Sequence, residues 1–132
     1  MLSASFRRLP HLLLTGLALA SAIPAWADIQ AYEFQLVEAD VKRGDAVIAV
    51  RLLNKATGKP VPDAVIFARR LDMAPDGMPT MTAELEPLPA DEPGVYRFKA
   101  NFTMEGSWQL SLAAKVQGES GTLQARLGLK AN

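Results

Sequence analysis

The sequence predicts an immunoglobulin-like, seven-stranded antiparallel β-sandwich, and three observations carry that expectation. Seven short stretches alternate apolar and polar residues with a period of two, turn-forming residues interrupt them about every ten positions, and no stretch sustains a helical period. All of this falls in residues 28–132, enough for one domain around a single core.

Strand one begins at Tyr32, where Tyr32, Phe34 and Leu36 alternate with Glu33, Gln35 and Val37. Lys42 to Asp45 turn the chain, and Ala46 to Leu53 follows, nearly continuously apolar apart from Arg51. Ile48, Val50 and Leu52 are expected to face inward. The second strand ends in the turn cluster from Asn54 to Asp63, which holds Gly58, Pro60 and Pro62. Ala64 to Arg70, with Val65, Ile66 and Phe67, makes the third strand, and Thr80 or Met81 to Glu86 a short fourth one. Pro87 to Gly94 is proline-rich and is expected to stay out of any ladder, either as a plain turn or as a docking segment. Val95 to Phe102 shows the cleanest alternation, with Tyr96, Phe98 and Ala100 opposite Arg97 and Lys99. Strand six alternates from Trp108, the expected core anchor, to Val116, and strand seven from Leu123 to Lys130.

Residues 1–27 read as a cleavable signal peptide. Arg7 and Arg8 are its positive region, Leu12 to Ala22 its apolar run, and Ala25-Trp26-Ala27 a small-x-small site that predicts cleavage before Asp28. The apolar run is shorter than the ~20 residues of a spanning helix. The expectation is an exported domain, soluble and not inserted in a membrane, at residues 28–132. Losing the two arginines of the leader from 14 Lys+Arg leaves 12 against 14 Asp+Glu, a net charge near −2, which argues against nucleic acid as a partner. The only histidine, His11, lies in the same leader, and there is no cysteine. Nucleophile–histidine pairs, histidine bases, the usual zinc sites and c-type haem attachment are thereby excluded from the domain, and no enzymatic activity is expected.

The chemistry left is that of thioethers. Arg69 to Met81 contains Met73, Met78 and Met81 together with Pro75, Gly77 and Pro79, which predict a loop rather than a helix or central strand. In an antiparallel sandwich successive connections alternate between the two ends, so this loop and the turn holding Met104 share one pole. Soft sulfur ligands gathered there suit Cu(I) or Ag(I), whereas zinc, magnesium and calcium do not fit. Methionines also plug irregular gaps at the ends of sandwiches, and spacing alone favours that role over a metal site, with Met81 and Met104 as core caps. Met73 and Met78 flank Ala-Pro-Asp-Gly, a composition expected to hold them at the surface. Asp72 and Asp76 read as ordinary solvated loop charges, too few for calcium. Ser107, Ser111 and Ser120 have no base to activate them, and Asp91-Glu92 is a solubilising pair.

The run from Glu92 to Leu110 carries Gly94, Tyr96, Gly106, Trp108 and Leu110 in the pattern Gly-x-Tyr … Gly-x-Trp-x-Leu, downstream of Met78-Pro79-Thr80-Met81. It resembles the YtkA-like and FixH-related periplasmic domain family. The resemblance implies an immunoglobulin-like fold, a periplasmic location and an association with copper handling, beside a metal efflux complex or in cytochrome oxidase assembly. It implies no catalysis and no organic cofactor. Its methionine element falls on Met73, Met78 and Met81, with Met104 in the turn before the tryptophan. FixH proteins proper keep a membrane anchor, so a cleavable leader points to the efflux-associated role. A metal-free protein interaction module is the other reading of the same pole.

Overall fold

The computed structural model describes residues 28–132, so the expected signal peptide and its cleavage site lie outside the described residues. A short 3-10 turn, Ile29–Ala31, is capped by the Asp28 carboxylate, which accepts from the Gln30 N–H at 3.1 Å. Nine strands follow it: β1 Tyr32–Leu36, β2 Asp40–Val41, β3 Gly44–Asn54, β4 Val65–Met73, β5 Met78–Ala83, β6 Leu85–Leu88, β7 Val95–Phe102, β8 Gly106–Lys115 and β9 Leu123–Ala131. Among the described residues, no helix is long and apolar enough to cross a membrane.

The strands form two facing sheets, ordered β1-β3-β7-β6 and β2-β9-β8-β4-β5. With β1, β3, β7 and β6 read as strands A, B, E and D, and β9, β8, β4 and β5 as G, F, C and C′, this is the immunoglobulin strand order. The expected sandwich is therefore present, but with nine strands instead of seven. The fourth expected strand is two: β5 belongs to one sheet, and beyond Glu84 the chain crosses to the other as β6. The ninth is β2, two residues paired in parallel with the end of β9 at Asp40↔Lys130 and Val41↔Ala131. A two-residue strand is too short to leave an alternation in the sequence.

Period-two patterning places the core as expected. Ile48, Val50 and Leu52 of β3, Phe98 and Ala100 of β7, and Trp108, Leu110 and Leu112 of β8 are all buried between the sheets. Phe102 and Trp108, on opposite sheets, meet edge to face with ring centroids 5.4 Å apart at 86°. Tyr96 is only half-buried, because its hydroxyl reaches out to clamp the β3–β4 connection: it donates to the Val61 carbonyl at 2.7 Å and accepts from the Ala64 N–H at 3.0 Å.

Two expectations about proline need correction. Pro87 does join a ladder, opposite Phe98 in the β6–β7 pair. It is tolerated because β6 is the outer strand of its sheet, so one side of its backbone needs no N–H partner. The methionine segment is likewise no free loop, since β4 runs to Met73 and β5 begins at Met78. The connection is a tight hairpin.

Candidate metal site at the hairpin pole

The hairpin is built from local chemistry. Pro75 stands in the first positions of a 3-10 turn, Ala74–Asp76, where its missing N–H costs nothing. Gly77 closes that turn in the left-handed region at φ 76°, its N–H donating to the Ala74 carbonyl at 2.9 Å. Met73 and Met78 then face each other as partners, while the next pair is Asp72 with Thr82. Pro79, Thr80 and Met81 are thus extra residues that bulge from the edge strand.

Arg70 and Asp72 hold this irregular hairpin together. The Arg70 guanidinium donates from Nε to the Asp72 carboxylate at 2.7 Å and from Nη2 to the Pro79 carbonyl at 2.7 Å. The other Asp72 oxygen accepts from the Ala74 N–H at 2.9 Å. Asp72 is 4% exposed, the single buried charged side chain among the described residues, so the expectation of a solvated loop charge was wrong for it. Burial by itself pushes its carboxyl up. The Ala74 N–H and the Arg70 and Arg126 guanidinium charges outweigh that and hold it below the usual carboxylate range.

Asp76 is not idle either: its carboxylate accepts from the Ser107 N–H at 2.8 Å, which ties the hairpin to the start of β8. There the Trp108 indole N–H donates to the Met104 carbonyl at 3.1 Å, fixing the turn from β7 to β8. Between the two turns sits Gly106, at φ 138°. A Cβ on Gly106 would stand 2.7 Å from the Met73 methyl carbon and would strike the Asp76 carboxylate. Gly106→Ala is therefore expected to destabilise the domain by about 1–3 kcal/mol, through backbone strain and loss of the Asp76–Ser107 contact. Urea unfolding checks this, and a loss below about 0.5 kcal/mol would show that the two turns can part freely.

The four methionines stand at one pole in unequal settings. Met73 has no exposed surface and belongs to the core, contrary to the surface position expected from its neighbours. It is the last inward residue of β4, two positions after buried Leu71. Met78 and Met81 are half-buried and packed against that core, and Met104 is 36% exposed. The structure brings Met73 to Met78 across the hairpin and, through Gly106, to the turn that follows Met104. Of Met104, the group with a defined structural partner is the main-chain carbonyl. No group of three or more His, Cys, Asp or Glu side chains able to hold a metal occurs among the described residues. Thioether sulfur is a soft donor of the kind a soft monovalent ion takes, and the Asp72 and Asp76 carboxylates at the same pole are engaged in hydrogen bonds within the hairpin and to β8.

Sequence reasoning missed Arg70, Asp72 and Gly106 as organisers of the pole. The signal was available for the first two, since residues two apart on a strand share a face and an Arg-x-Asp pair there is placed to bond.

Strand order, two facing sheets and a pole closed by bonded turns define an immunoglobulin-like β-sandwich domain. The chain belongs to the YtkA-like family, whose profile matches residues 27–113, from before β1 to within β8. Two solved structures are similar to it in outline. The Lin-41 filamin domain is 21% identical with a TM-score of 0.48, covering 80% of this chain and 94% of its own. The ZirS C-terminal domain is 12% identical with a TM-score of 0.47, covering 100% of this chain and 87% of its own. No curated protein sequence matches the chain.

Proposed function

We propose that this YtkA-like domain is an exported, non-enzymatic accessory of copper handling that binds Cu(I) or Ag(I) weakly as cargo through Met73, Met78, Met81 and Met104. Its place is the periplasm, beside a metal efflux complex; a role in cytochrome oxidase assembly, as a FixH-related relation would imply, is the variant of the same reading. One observation carries it. Two turns bearing thioethers are tied together at a single pole by the Asp76–Ser107 bond, in a domain with neither histidine nor cysteine. Met78, Met81 and Met104 keep some exposed surface, and Met73 is buried in the core. A buried fourth donor suits a carrier, because taking the ion requires the hairpin to give way and releasing it restores the packed core.

An anaerobic Cu(I) titration against a competing chromophoric chelator tests this. The wild type is expected to take one saturable equivalent, and a variant carrying Met73→Leu, Met78→Leu and Met81→Leu is expected to take none. Leu is close to Met in volume, so the variant should remain folded, each substitution costing less than about 1.5 kcal/mol. No competition by the wild type, even against a weak chelator, would overturn the carrier reading. The remaining function would then be a metal-free contact surface for a partner protein, which the exposure of Met104, Pro75 and Pro79 favours.

A further inference from the structure

We propose that the open edge of β4, from Val65 to Arg70, receives an extended, acidic segment of a partner protein as an added strand of the five-stranded sheet. This surface flanks the sandwich, and its use does not depend on metal at the methionine pole.

The edge follows from the crossing at Glu84. On one side β4 pairs with β8 from Val65 to Asp72. On the other, β5 accompanies it only from Leu71 to Met73, because past Ala83 the chain leaves for the other sheet. Among the described residues, no backbone group pairs with β4 between Val65 and Arg70 on the side away from β8. An unpaired edge of this length is a template for strand addition.

The edge is apolar at one end and basic at the other. Val65 is 61% and Phe67 54% exposed, and a bulge between Ile66 and Ala68 sets Phe67 off the β8 ladder. Beside the edge runs a groove of about 610 Å³, with Phe67 to Leu71 as one wall and Thr82 to Leu85 as the other. Arg69 and Arg70 stand on the edge wall, and Glu84 is the one acid opposite. Arg69 spans the groove with its Nε 3.4 Å from the Leu85 carbonyl, and the Arg70 side chain is 55% exposed. A strand laid here would find apolar contact with Phe67 and Leu85 and a charge partner in Arg69. A second copy would leave that charge unmet, since antiparallel pairing of two such edges sets Arg69 and Arg70 of each beside Ile66 and Val65 of the other, and Arg70 is already paired with Asp72. A carboxylate-bearing strand supplies Arg69 with the partner that a second copy lacks.

A displayed library of random eight-residue peptides, selected on the full-length protein, tests this. The expected winners alternate apolar residues and carry at least one Asp or Glu. On binding they should slow hydrogen exchange at alternate amides of Val65–Arg70, and Arg69→Glu should weaken them about tenfold or more. Phe67→Lys should weaken them as well while leaving the unfolding midpoint unchanged, since Phe67 is outside the core. The proposal is overturned by winners without acidic preference, by binding that leaves exchange at Val65–Arg70 unaltered, or by the absence of any winner. It is equally overturned by a concentration-dependent dimer that itself protects those amides.

Discussion

Trp108→Ala is expected to cost about 3–5 kcal/mol, the largest loss from any single truncation in this domain. The indole is fully buried, stacks edge to face on Phe102 from the opposite sheet and donates to the Met104 carbonyl. Removing it opens a cavity between the sheets and frees the β7–β8 turn in one step. Trp108→Phe keeps a six-membered aromatic ring but loses the N–H and part of the indole volume, leaving a smaller cavity, so its cost should be nearer 1–2 kcal/mol, roughly. Urea unfolding of the two variants separates packing from hydrogen bonding. Equal losses would mean that the bond to Met104, rather than the cavity, governs this corner.

Asp72→Ala is expected to cost about 1–3 kcal/mol, because it strands the Ala74 N–H that the carboxylate now satisfies, while the half-exposed Arg70 guanidinium keeps the Pro79 carbonyl and gains water. Asp72→Asn isolates the charge and exposes a pH dependence. The Asp72 carboxyl is held below its ordinary value in the fold, so its stabilisation is complete above about pH 4, the unfolded-state value, and is lost as pH falls through the lower folded value. The stability gap between wild type and Asp72→Asn should therefore be widest at neutral pH and narrow progressively below about pH 4. A gap that stays constant from pH 7 to pH 2 would mean that Asp72 acts by shape alone.

The sandwich was legible because most of its strands are half-buried and alternate, as in Tyr96, Phe98 and Ala100 of β7. The two missed strands were illegible for separate reasons. β2 is too short for a period, and the break at Glu84 changes sheets without a glycine or proline at that residue to announce it. The gathering of Met73, Met78 and the Met104 turn at one end followed from counting connections, and the hairpin and turn do meet. What composition misjudged was depth. Pro75, Gly77 and Pro79 imply exposed turn backbone, and their backbone is indeed turn and bulge, yet Met73 immediately before them still carries the inward parity of β4. Parity along a strand persists to its last residue, whatever the next three are. Asp72 was misread for the same reason, as a loop charge when it is a strand residue with Arg70 on its own face.

The parallel pairing of β2 with β9 sets an order of events while the chain is being made. Asp40 and Val41 settle against Lys130 and Ala131, and the Arg43 N–H donates to the Asn132 carbonyl, so β2, early in the domain, waits for the end of its last strand. β8 also lacks its β9 neighbour until then. Nascent chains stopped anywhere before Leu123 should therefore stay open and protease-sensitive, and the domain should close late and all at once rather than strand by strand.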